Sequence, residues 1–310
     1  MGRSYSGPVQ DHDVAGYEHI EKAADLLKDV VDDLFLLPTK AQERAIAQRA
    51  ALGEDDHGDD LVCGCWAAAT TATALLQLAG RHMDAVVHLS ASHPGFAPSA
   101  SVLGRAALES LLRVRWLVDP ATPAEREQRW IALRSEEVRF YKNCGATSDT
   151  QAAEEQKWLQ GLSDHLDGTA AKVPSAESLA KEFSKSEQLY NTFYRWNSQP
   201  THGTLVGAGT FDDDARQQWY TEGGEGEWVE AEFWGMPLIA CWEGAKLAMP
   251  AYRDLLVPDH PLPSLDHTEV FKAALQSVPA NYQARLSAKK QAPTRPNRAQ
   301  RRAIQKGRRR

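Results

Sequence analysis

"SVLGRAALESLLRVRWLVDP", residues 101–120, decides the fold class. Placed on a wheel at about 100° per residue, its apolar side chains surround almost the whole circumference. A helix that is apolar all round belongs in the interior of a helical assembly. Its charges are confined. Arg105, Glu109 and Arg113 recur at i,i+4 spacing and make one stripe with Trp116 beside it, whereas Arg115 lies off that stripe near the helix end. Two readings of the stripe stand side by side. One is a surface ladder of ion pairs worth tenths of a kcal/mol each. The other is a charged wall lining a polar cleft inside the bundle.

Working outward, helical periodicity dominates. Upstream, Leu61–Gly80 carries no charge and is long enough to span a bilayer. It is mainly Ala, Thr and Leu, with two cysteines and Gln77, so it reads as the buried start of a long helix reaching about Leu89 and not as a membrane span. A turn at "SHPGFAPS" (92–99) joins it to the central helix. Before it, residues 16–38 place Ile20, Ala24, Leu27, Val31 and Leu34 at three- and four-residue spacing, with Pro38 closing that helix. A second amphipathic helix covers 39–53 and ends in glycine, and an acidic loop, "GEDDHGDD" (53–60), follows.

Downstream, "TPAEREQRWIALRSEEVRFYKNC" (122–144) has proline near its start and predicts a long, partly exposed helix. Shorter helices are predicted near 151–164 and 175–196, a loop or lid from Gly203 to Gly226, a long helix over 227–258 kinked at Pro237, and a last helix in 267–286. Alternation of period two is missing beyond a few residues, and no internal repeat appears. The expected fold is all-α: a multi-helix bundle with long central helices, a flexible N-terminus over 1–15, one helical domain over 16–285 with its core in 60–255, and a disordered basic tail over 286–310.

Composition limits the function classes. The chain has 310 residues, 42% hydrophobic and 25% charged, enough for a sizeable core. The formal charge of −7 hides an asymmetry. Residues 286–310 hold ten Lys/Arg and no Asp/Glu, so residues 1–285 carry about −17. An acidic body does not advertise a nucleic-acid-binding surface, so any such contact needs the tail or a local basic pocket. Four cysteines are too few for a disulfide framework in a chain of this size and read as reduced thiols in a cytoplasmic protein. The N-terminus lacks a secretory pattern, and "MGRSYS" matches a myristoylation signal only loosely.

The densest run of chemistry-bearing residues is "LYNTFYRWNSQPTHGT" (189–204). Arg195 precedes His202 with six residues between them, and Asn197 and Ser198 lie in the interval. Arginine stabilises charge developing on a phosphate, and histidine, with a pKa near neutrality, moves a 2′-hydroxyl or leaving-group proton. The alternative is structural, with Ser198 and His202 capping helix ends and bonding nearby backbone. This spacing resembles the arginine–four-to-six–histidine motif of the HEPN superfamily, all-α bundles that include ribonuclease toxins and abortive-infection proteins. The wider pattern also resembles a group of uncharacterised bacterial helical proteins, through Arg105 and Glu109 on one helix and Tyr190, Tyr194, Arg195, Ser198 and His202 in a later segment. That resemblance spans roughly residues 60–255.

The resemblance implies metal-independent RNA cleavage by 2′-hydroxyl attack, with Arg195, His202, Asn197 and Ser198 catalytic and Arg105, Glu109, Arg113, Tyr190 and Tyr194 completing the pocket. It also implies a homodimer and an antitoxin as candidate partners, with no membrane. One departure matters: Pro200 disfavours helical geometry at Gln199, whereas the motif usually lies along a helix. No metal or other cofactor is expected. His82, Asp84, His88 and His93 cluster in "HMDAVVHLSASH", but the paired Glu-x-x-His motifs of a carboxylate-bridged metal bundle are missing. "GTLVGAG" follows no predicted strand, and no nucleophile elbow, Walker or H-E-x-x-H sequence is present. The rival functions are a non-catalytic helical scaffold, and a nucleotide or small-ligand binder using the same Arg/Ser/His network.

Overall fold

The computed structural model describes residues 14–52, 65–92, 97–166, 171–183 and 225–276. The described residues form eight helices and no strand: α1 (Val14–Leu52), α2 (Cys65–Ser92), α3 (Ala97–Val118), α4 (Pro123–Asn143), α5 (Asp149–His165), α6 (Ala176–Phe183), α7 (Glu225–Leu256) and α8 (Thr268–Gln276). The fold is all-α. The helix expected to be central is central, with α3 packed most extensively against α7 and α2. Ala100, Ala107, Leu108, Leu111, Leu112, Val114 and Leu117 are sealed from solvent on three of its sides. On α2, the uncharged stretch buries Ala68, Ala72, Leu76 and Ala79, and Met83 and Val86 continue the same spacing beyond it; no described helix is long and apolar enough to cross a membrane.

Beside shifts of a few residues at other ends, such as α3 starting at Ala97 inside the expected turn, two differences from the sequence reading stand out. Pro38 does not end the first helix; α1 runs through it to Leu52. The reason is the apolar stripe. Leu34, Leu37 and Pro38 are buried and Ala41 packs on the same core, so that face continues past the proline. Proline supplies no N–H to the turn before it, and the Thr39 hydroxyl adds a donor there, reaching the Phe35 carbonyl at 3.3 Å. The second difference is Gly226, read as loop but placed in the first turn of α7. The helices predicted over 175–196 and 267–286 are described only as far as Phe183 and Gln276. The acidic loop, most of the 203–226 stretch and the basic tail lie outside the described residues.

The α3–α7 contact depends on small residues. A Cβ added at Gly104 would sit 2.9 Å from the Pro237 Cα, and one at Gly244 would sit 2.9 Å from Leu111 Cδ1 and 3.2 Å from Leu108 Cδ1. Contacts therefore advance together along both helices, and α3 and α7 run in the same direction. Trp242, fully buried on α7, stacks on Phe271 of α8 with ring centroids 4.4 Å apart. Tyr252, also sealed, meets Thr73 of α2 at 2.8 Å, while the Thr73 hydroxyl donates to the Ala69 carbonyl. Burial pushes the Tyr252 phenol up to about 12, so it stays protonated as this bond requires. These contacts bring α1, α2, α3, α7 and α8 into one apolar core.

The helices α4 and α5 make a hairpin with its own small apolar cluster of Ile131, Val138, Ala152 and Leu159. Thr122 and Glu125 form a capping box with proline at the start of α4, and Ser148 and Gln151 form another on α5. Between them Gly145 adopts φ 71°, the left-handed turn that lets its own N–H and that of Ala146 close back on Lys142 and Tyr141. Trp130 touches both the small cluster and the main core, and sets its ring edge-on to Trp158 at 6.1 Å.

Candidate functional site

On α3 the charged stripe is the side left partly open. Arg105 Nε donates to Glu109 Oε1 at 2.7 Å, with side chains 17% and 31% exposed. Arg113 is half-buried one turn further on, exposed Val102 and half-buried Ala106 share the face, and Trp116 closes its edge at 4% exposure. A largely enclosed helix thus presents cations and a carboxylate along this stripe. The arrangement is intermediate between the two sequence readings: neither a fully solvated ladder nor a sealed network. The i,i+4 pair itself contributes about 0.5 kcal/mol or less. Its larger effect is to hold the Arg105 guanidinium in one place.

Arg115 departs from the stripe as its angle requires. It pairs with Asp119 one turn on and lies over the Phe183 ring of α6, 5.8 Å from the centroid. Arg195, His202, Asn197, Ser198, Tyr190 and Tyr194 lie outside the described residues. Among the described residues, the partner of Glu109 is Arg105, on its own helix.

Of the weaker candidates, His82 is half-buried on α2, and burial holds its pKa below the usual histidine value, so it is neutral at pH 7. Asp84 and His88 are exposed, and His93 falls outside the described residues. Among the described residues no three His, Cys, Asp or Glu side chains come together as metal ligands. Cys241 is sealed, and burial raises its thiol far above the ordinary value, which makes it inert. Asp33 and His260 approach to 4.0 Å, beyond hydrogen-bond reach.

Sequence reading missed a polar seam at the base of α4. Glu127 is 5% exposed, and its Oε1 accepts from the Ala68 N–H in the first turn of α2 at 3.1 Å. Arg126, 7% exposed, donates to the Pro120 carbonyl at 2.6 Å and the Ala121 carbonyl at 3.3 Å. Arg129 donates to the Trp116 carbonyl and covers the Trp116 ring at 5.3 Å. A signal was present for Glu127, which stands one turn before Ile131 on the stripe that continues to Val138. In a helix this rich in charge, that position looked like any other solvated glutamate.

Residues 70–218 match the sequence profile of a family of unknown function (DUF5677). Nothing matches the chain among curated proteins or among solved structures.

Proposed function

We propose that this chain is a HEPN-like helical endoribonuclease of the toxin or abortive-infection type, working without a metal. The observation that carries the reading is the charged stripe on α3, where Arg105 and Glu109 form a fixed, half-buried pair on a largely enclosed helix. In this reading Arg195 and His202 act together with the groups of that stripe. Arg195, together with Arg105 and Arg113, stabilises the dianionic phosphorane-like charge as a 2′-hydroxyl attacks. His202 takes the hydroxyl proton or returns one to the leaving 5′-oxygen. Asn197 and Ser198 orient the phosphate, and Tyr190 and Tyr194 pack against the base or sugar. The family profile supports treating these parts as one unit, since residues 70–218 include both the stripe and the 190–202 segment.

The test is induced expression of wild type and His202→Ala in a bacterium, scoring growth and RNA integrity. Wild type is expected to arrest growth and fragment RNA, and His202→Ala to lose both effects while accumulating as folded protein. In vitro, cleavage by the purified protein should survive excess EDTA. Equal behaviour of the two proteins would remove the catalytic reading.

A further inference from the structure

Among the described residues, the α4–α5 hairpin is attached at its base, and its tip over 141–150 is almost wholly exposed. Its own apolar cluster is distinct from the main core, and the apolar link between them runs through Trp130 and Leu133. One heptad beyond Leu133, on the same side of α4, Phe140 is 62% exposed. The first two turns of α4 are anchored mainly by polar contacts, through Arg126, Glu127 and Arg129. Of these, the contact to α2 is made by a buried carboxyl group, and that group can carry either no charge or a full negative charge.

We propose that Glu127 makes the docking of the α4–α5 hairpin on α2 sensitive to pH, holding it when protonated and loosening it when ionised. The inference is independent of the proposed ribonuclease function. Around Glu127, α2 presents the amides of Ala67 and Ala68, which favour the charged form, as does Arg126 on α4. Other charged groups nearby have their own partners: Arg129 on the Trp116 carbonyl, Glu125 on the Thr122 N–H, and Arg115 with Asp119 at the end of α3. Burial outweighs the favourable contacts and raises the Glu127 carboxyl from an ordinary 4.5 to about 7.

The direction follows from linkage. With the docked carboxyl binding its proton more tightly than the undocked one, opening releases a proton. Docking strength is fully present below about pH 4.5 and is lost as pH rises to about 7, above which both states are ionised. Within that window the opening constant rises up to about tenfold per pH unit.

The experiment is hydrogen exchange of the full-length protein between pH 4.5 and 8, corrected for intrinsic exchange. Amides of α4 and α5 are expected to lose protection across the window while those of α7 hold theirs. In Glu127→Gln, which keeps an acceptor for Ala68 N–H without the charge, the hairpin should stay protected at every pH. A wild-type hairpin with no pH slope, or the same slope in Glu127→Gln, would overturn the proposal. Carbon NMR titration of the Glu127 carboxyl gives a check that needs no variant. A midpoint near 7 supports the mechanism, and one near the ordinary 4.5 defeats it.

Discussion

Three glycines separate packing from backbone preference. Replacing helical glycine by alanine gains about 1 kcal/mol from propensity wherever the methyl has room. Gly161 on α5 has nothing within 4 Å of its Cβ position, so Gly161→Ala should stabilise by roughly that amount. At Gly244 the methyl meets the ends of Leu111 and Leu108, which can turn aside, and the two effects should nearly cancel. Gly104 faces the Pro237 backbone at 2.9 Å, which cannot yield without moving α7. Gly104→Ala should therefore cost about 1–3 kcal/mol. Urea denaturation of the three variants tests the order. A Gly104→Ala protein as stable as Gly161→Ala would mean that α3 and α7 are not in close contact.

The corner between α3 and α4 is where two helices share their ends. The last carbonyls of α3 lack intrahelical donors, and α4 supplies the Arg129 guanidinium to one of them in place of water. Arg129 both bonds the Trp116 carbonyl and covers its ring. Lysine can replace the charge but not the planar contact. Arg129→Lys should lose about 1 kcal/mol in thermal or chemical denaturation, close to the loss in Arg129→Ala. Full retention of stability in Arg129→Lys would reduce the contact to simple charge.

Elements were legible wherever the apolar period was unbroken: α3 from its enclosed circumference, and α2 from a run of small residues with no charge. The break assigned at Pro38 failed because the local rule about proline competes with a stripe that proline itself continues through Leu34, Leu37 and Ala41. The Arg115 departure from the stripe was readable from angle alone. The seam at Glu127 was not, since burial of a carboxylate depends on which helix end happens to face it.

At the scale of the molecule, charge is divided unequally. The ten cations of residues 286–310 stand against about −17 on the remainder. Removing residues 289–310 should leave the melting temperature nearly unchanged, because that stretch has few apolar groups to bury. Any nucleic-acid affinity lost with the deletion should be the part that falls steeply with salt, read from binding isotherms at several ionic strengths. Salt-insensitive affinity would place the contact on the helical body. A clear drop in melting temperature would show the tail to be part of the fold.

The shared direction of α3 and α7 has a consequence for the order of assembly during synthesis. Helices that run the same way cannot be joined by a short turn, and Gly104 and Pro237 meet only after roughly 130 residues of intervening chain. On the ribosome, α1, α2 and α3 emerge first, with the α3 face that will receive α7 still uncovered. Until α7 leaves the exit tunnel, Leu108 and Leu111 lie open to chaperones or to other nascent chains. A stalled chain ending before residue 225 should bind a hydrophobic dye and be captured by chaperone, and one extended well past Leu256 should escape both.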